Sequence, residues 1–228
     1  MAADLVRALA FSGPLVAAEH VAGARGHRIA GEAVVLNAGP TPAALAGRPR
    51  KSLPPLASTV LRDAVVEQAD HLVVLRPAEG PLAGLTGEPG WHHLAESLPS
   101  YPRDTPLWRS PQDTLGTVRL DPGPLLREAA GVEREFAVRV NLWFAPAGTD
   151  CGIHHEHPFV EVHTQIHGLG RMQKFHRPTR ESRYEDVPMA PGNTHEPFCD
   201  RALEYPWHQY RADTDCVWLA VEYHEESE

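Results

Sequence analysis

Seventeen residues of the chain, GIHHEHPFVEVHTQIHG from 152 to 168, hold five histidines and two glutamates. Imidazole nitrogen and carboxylate oxygen together suit divalent first-row metals, from Mn(II) and Fe(II) to Ni(II), Cu(II) and Zn(II). Read as an extended strand, this stretch points His155 and His157 to one side, two residues apart. Past the Pro158 interruption, Glu161, His163, Gln165 and His167 share a face by the same period. His154 and Glu156 are expected on the opposite side. One hairpin cannot close a coordination sphere, so a further ligand has to come from elsewhere. MAPGNTHEPF (189–198) supplies one: Pro191-Gly192 makes a tight turn and His195 follows the glycine by three residues.

These residues resemble the cupins. His155-x-His157-x3-Glu161-x6-Gly168 matches the first motif of that family, and Pro191-Gly192-x2-His195 resembles the second. The resemblance implies a double-stranded β-helix, or jelly-roll barrel, with one divalent metal held by His155, His157, Glu161 and His195. It covers roughly residues 136–223. The family's leading glycine sits six residues before the first histidine, whereas Gly148 stands seven before His155 and six before His154. A slip of register onto His154 and Glu156 is set aside, because it turns His-x-His into His-x-Glu and breaks the spacing to Glu161 and Gly168. Cys199 replaces the asparagine that ends the second motif.

The elements that must position these groups are mostly short strands. In EFAVRVNLWFAPAG, Phe136, Val138, Val140, Leu142 and Phe144 alternate with Ala137, Arg139, Asn141 and Trp143, the period of a half-buried strand. EVHTQIHG, RMQKFH, SRYEDVPM, EYPWHQYR and CVWLAVEYH follow, separated by Gly, Pro, Asp or Asn turns, as in an antiparallel sandwich or barrel. Ahead of them, apolar spacing predicts helices over 2–10 and 58–69, while 31–39 and DHLVVLRPA read as strands. Pro-rich connectors at 39–55 and 98–114 are expected to wrap the surface. The expected fold is therefore an all-β-dominated, cupin-type jelly roll at 131–228 with an N-terminal α/β elaboration at 1–130.

Nine of the fourteen histidines follow residue 150, which places the chemistry in the C-terminal part. A net charge of −9 without a basic run argues against nucleic acid, and no apolar run reaches the length of a membrane span. Three unpaired cysteines fit a reduced, cytoplasmic protein. The partner expected is a small-molecule substrate, with O₂ as a candidate co-substrate, and a homodimer is the default assembly. Three histidines and a glutamate leave open positions on the metal, the mark of a catalytic site. Fe(II) is the favoured cofactor, with Zn, Mn or Ni as alternatives. The expected activity is a non-heme Fe(II) oxygenase acting on a small polar, carboxylate-bearing or aromatic molecule. Glu161, His163 and His167 are candidate proton carriers, and Arg139, Asn141, Trp143 and Gln165 are candidate substrate contacts. The alternatives are a redox-neutral Zn or Mn isomerase, lyase or hydrolase, and a non-catalytic sensing or storage module.

Overall fold

The computed structural model describes residues 4–226. In chain order the strands are β1 (Leu5–Ala8), β2 (Val16–Asn37), β3 (Ala43–Leu45), β4 (Lys51–Leu53), β5 (Ser58–Pro77) and β6 (His92–His93). A single helical turn, α1 (Leu94–Ser97), precedes β7 (Trp108–Arg109), β8 (Asp113–Leu120), β9 (Arg134–Ala145), β10 (Val160–His167), β11 (Gly170–Phe175), β12 (Arg183–Met189), β13 (Trp207–Ala212) and β14 (Cys216–Glu225). No helix among the described residues is long and apolar enough to cross a membrane.

Two expected helices are strands. Residues 58–69 open β5, where Thr59, Val60, Val65 and Val66 suit a pleated surface and pair along β2. The stretch at 2–10 contains β1, paired antiparallel with β2, while residues 2 and 3 lie outside the described residues. Local apolar spacing allowed both readings, and long-range pairing decided between them. β2 and β5 double back at Gly31 (φ 65°) and Asp63 (φ 47°), whose carboxylate accepts from the Gly31 N–H at 2.9 Å. As a result Val34–Leu36 pair both with Val73–Leu75 and with Ser58–Val60.

Three sheets stack. The N-terminal sheet runs β1-β2-β5-β3-β4, the central one β10-β14-β9-β7-β6 with β8 on β9, and the third β12-β11-β13. The consecutive apolar runs at 33–36 and 72–75 are explained by burial on both faces. Val35, Leu72 and Val74 enter one core inside the N-terminal sheet. Val34, Leu36, Val73 and Leu75 pack instead against Val138, Val140, Leu142, Val162, Val217, Leu219 and Val221 of the central sheet. The apolar face of β9 thus meets the N-terminal sheet, and its mixed face looks the other way, toward β11–β13. The boundary expected at 130/131 falls between β8 and β9, neighbours in one sheet. The 98–114 connector contributes β7 to that sheet as well.

On the mixed face the register lays down rows of side chains. Gln165, Trp218, Trp143 and Arg109 lie opposite one another across β10, β14, β9 and β7. His163, Ala220 and Asn141 form the next row, and Glu161, Glu222 and Arg139 a third. From these rows Arg109, Trp143, Trp218, His163 and Glu161 line, with His208 and Tyr210 of β13, the cavity that holds the site.

Candidate metal centre

The segment after β9 runs beside β13 as an irregular extra strand. The Cys151 N–H donates to the Tyr210 carbonyl at 3.0 Å, and His154 and His208 exchange both backbone hydrogen bonds at 2.9 and 2.8 Å. From one contact to the next, three residues on this segment oppose two on β13, which is a bulge. Gly152 provides it at φ 94°, a conformation glycine adopts without strain. The Tyr101 hydroxyl fastens the bulge by donating to the Cys151 carbonyl at 3.0 Å. One extra residue flips every following side chain to the other face. That is why His154 lies beside His208 on the cavity wall, still exposed to solvent, contrary to the expectation that it faces away.

Residues 155–159 are not strand, so the period-two argument joining His155 to His157 does not apply to them. His157 instead reaches back over the bulge. Its Nε2 lies 3.0 Å from His154 Nε2 and 3.1 Å from His208 Nε2. His154, His157 and His208 each present one ring nitrogen within 4.8 Å of the others, and together they can hold a metal ion. His155 stacks edge-on against Trp207, ring centroids 3.8 Å apart, and is not in this group.

The hydrogen bonds fix the tautomers. His154 Nδ1–H donates to the Gly152 carbonyl at 3.0 Å, and His208 Nδ1–H to the Pro206 carbonyl at 2.8 Å. Both Nε2 atoms therefore carry lone pairs aimed at His157, and a single His157 N–H cannot serve both well. Two of the three imidazoles, His154 and His208, are backed by a backbone carbonyl, as metal-binding histidines commonly are. Burial lowers His154, takes His157 down to about 4 and takes His208 to about 2, so all three are neutral donors at neutral pH.

Glu161, on the inner face of β10, borders the cluster. Its Oε2 is 3.7 Å from His157 Nε2, and its Oε1 is 3.3 Å from His163 Nε2. Burial alone would raise this carboxyl, but the His163, His157 and His208 imidazoles override burial and hold it below the usual carboxylate range. Glu222, directly opposite, is pushed up by burial and by the Glu161 charge. The Tyr205 hydroxyl accepts from the Glu161 N–H at 2.9 Å and donates to the Phe159 carbonyl at 2.7 Å, which sets where β10 begins.

The remaining expected residues scatter. His195 is buried near His163, but its Nε2 accepts from the His163 N–H at 2.9 Å while Nδ1–H donates to the Glu196 carbonyl at 2.9 Å. Both ring nitrogens are thereby engaged, one by β10 and one by the neighbouring residue. Burial, reinforced by His163, brings it to about 3. A shift of register between Gln165 and His167 sets His167 opposite Val217, a residue of the outer core, so His167 does not share the Glu161 face. Gln165 is fully buried and tied down, its Nε2 donating to the His167 carbonyl at 2.6 Å and its Oε1 accepting from the Tyr210 hydroxyl. Arg139 is exposed and does not line the cavity. Asn141 is buried with both amide atoms unpartnered, and Trp143 lines the cavity.

Sequence reasoning left His208 unassigned. Its one signal was the inward parity it shares with Tyr210 on β13, and that becomes informative only once the partner segment is known. It also missed Arg109, which the short β7 places opposite Trp143. The cavity encloses about 940 Å³, with His154, His157, Glu161, His163 and His208 on its wall.

Fold and site together define a jelly-roll protein with a histidine-rich centre between its sheets. Neither a family model nor a curated protein matches the chain. Solved structures similar to it include a cupin 2 conserved barrel domain protein from Leptotrichia buccalis, at 7% identity and a TM-score of 0.33 over 97% of this chain and 89% of that one. A variant of Bacillus subtilis oxalate decarboxylase is similar at 14% identity and a TM-score of 0.32, covering 99% of this chain and 74% of that one. Ectoine synthase from P. lautus matches at 20% identity and a TM-score of 0.29 over 38% of this chain. The match spans about half of that synthase, 53% of its length. At these TM-scores the likeness carries no argument, and the fold is read from the sheets described above.

Proposed function

We propose that this protein is a cupin-type metalloenzyme whose divalent ion is held by His154, His157 and His208, with Glu161 as the adjoining carboxylate. The observation that carries the reading is the convergence of three neutral Nε2 atoms, two with lone pairs fixed by hydrogen bonds to backbone carbonyls. These three nitrogens, with Glu161 beside them, would hold a divalent ion and leave positions open to a substrate. Imidazole and carboxylate donors suit Fe(II), with Zn, Mn or Ni as alternatives, and the reading favoured is an oxygenase acting on a small molecule in the cavity. When bound, such an ion supplies Lewis acidity and sites where substrate and O₂ can meet.

The chain's own residues do the rest. Glu161 stays ionised beside the centre and can accept a proton from a substrate hydroxyl or acid. His163, 3.3 Å behind it, can take that proton onward. Tyr205 holds the carboxylate's backbone in place. The loop at 98–107, fastened through Tyr101, forms one wall of the cavity.

Protein produced in iron-supplemented medium should contain about one iron per chain and give a ferrous-nitrosyl signal with nitric oxide under anaerobic conditions. Tightly held zinc with no nitrosyl signal would redirect the assignment to redox-neutral chemistry. No bound metal of any kind would refute it.

A further inference from the structure

Beside the histidines, the cavity wall carries a cation without an ion-pair partner among the described residues. Arg109 makes no hydrogen bond or ion pair among the described residues, and its Nε is buried without a partner. Its guanidinium carbon stands 5.8 Å from the centre of the Trp143 ring, and Trp143 stacks on Trp218 with ring planes 7° apart. Both indole N–H groups are also buried and unpartnered. The side chains of Arg109, Trp143 and Trp218 share one wall, and none of these three nitrogens has an acceptor among the described residues. Glu222, whose carboxyl feels the Arg109 charge, is hydrogen-bonded to Gln112 at 3.0 Å and His224 at 2.7 Å rather than to Arg109. A half-buried guanidinium on a cavity wall with no ion-pair partner points to an anion that the chain itself does not supply, and its forked N–H groups favour a planar partner such as a carboxylate.

The other walls are apolar. Leu94 and Leu98 from the α1 region, Leu107 ahead of β7, and Ile153 beside the bulge line the same space. A volume of about 940 Å³ is in the range of sites that enclose a drug-sized ligand. A two- or three-carbon acid would leave most of that wall uncovered.

We propose that the cavity selects a small amphipathic carboxylic acid, its carboxylate gripped by Arg109 beside the Trp143–Trp218 pair and its apolar chain lying along Leu94, Leu98 and Leu107. This inference rests on the cavity being the substrate site of the proposed enzyme, but the anion grip needs no metal.

The test uses octanoate, its neutral counterpart octanamide, and acetate, with quenching of tryptophan fluorescence read on as-purified and on chelator-stripped protein. The stripped wild-type chain should bind octanoate at least tenfold more tightly than octanamide, and acetate most weakly. Arg109→Gln should erase the preference for octanoate while leaving octanamide binding in place. Arg119→Gln, an exposed substitution remote from the cavity, should change neither by more than about twofold. Octanoate should also slow modification of Arg109 by phenylglyoxal on the wild-type chain, read by peptide mass spectrometry, and octanamide should not. That second measurement decides if Arg109→Gln does not fold.

Equal binding of octanoate and octanamide by stripped protein, a preference that survives in Arg109→Gln, or no selective protection of Arg109 would each overturn the proposal. So would the absence of octanoate binding up to about 10 mM. Loss of metal binding with the preference intact would refute the metal assignment alone.

Discussion

Replacing His208 with alanine separates the two ligand sets that the chain offers. The motif spacing picks His155 and His195, whereas the structure gathers His154, His157 and His208. Structural metal sites are worth about 10–16 kcal/mol, so one ligand of four carries ~2.5–4 kcal/mol, or roughly a 70- to 900-fold loss in affinity. His155 packs on Trp207 instead, so His155→Ala should weaken metal binding by less than about tenfold, within the range of indirect effects on a metal site. Metal stabilises the folded chain by mass action, by about 2.7 kcal/mol at a hundred times the dissociation constant. At ~2–4 °C per kcal/mol for a chain of this size, that is a rise in Tm of ~5–10 °C. The wild-type and His155→Ala proteins should show this rise on adding Fe(II) or Mn(II), and His208→Ala should not. Metal content after gel filtration, with melting followed by circular dichroism, reads both quantities. If His208→Ala keeps stoichiometric metal and its thermal shift while His155→Ala loses them, the bulge argument is wrong and the motif's own spacing is right.

Other consequences are open to direct measurement. Gly168→Ala should destabilise by more than about 2 kcal/mol in urea titrations, because Gly168 sits at φ 77° and an added Cβ would stand 2.0 Å from the Asp215 carbonyl oxygen. A variant that unfolds at the wild-type midpoint would refute the clash. Tyr205→Phe leaves the Glu161 N–H and the Phe159 carbonyl without their shared partner, and should cost ~1–3 kcal/mol in stability together with a fall in metal affinity. Unchanged values for both would remove Tyr205 as a positioning residue. His20 lies against His71, ring centroids 5.2 Å apart, and is lowered to about 4 by burial, with His71 and Arg7 adding to the effect and Asp113 opposing it. Its folded value lies below the ordinary 6.5, so its contribution is complete above that pH and is lost as pH falls from 6.5 toward about 4. His20→Gln should therefore make the stability lost between pH 7 and pH 4.5 smaller by ~2–3 kcal/mol. An unaltered pH slope in that variant would show that His20 does not titrate with unfolding.

The sequence by itself determined a mostly-β chain, the two faces of β9, the start of a strand near Glu161 and the concentration of chemistry after residue 150. Each of these is written in residues close together, through period-two alternation and turn signals. It also brought His157 and Glu161 into one neighbourhood, since four residues cannot carry them far apart. Tertiary structure decided the rest. Whether His154 or His155 faces inward depends on one extra residue at Gly152, and a bulge is recognisable only against the strand it opposes. His208 is more than fifty residues from His154 and meets it through a backbone pair that has no local signature. His195, apt by spacing, is withdrawn because the His163 N–H takes its lone pair. His167 leaves the inner face at a second register shift. Residues 58–69 repeat their apolar groups in a way that fits a helix, yet β2 supplies a pairing partner on both sides of the bend. Spacing along a chain can state which residue types are to hand, but register between distant strands selects which of them face one another.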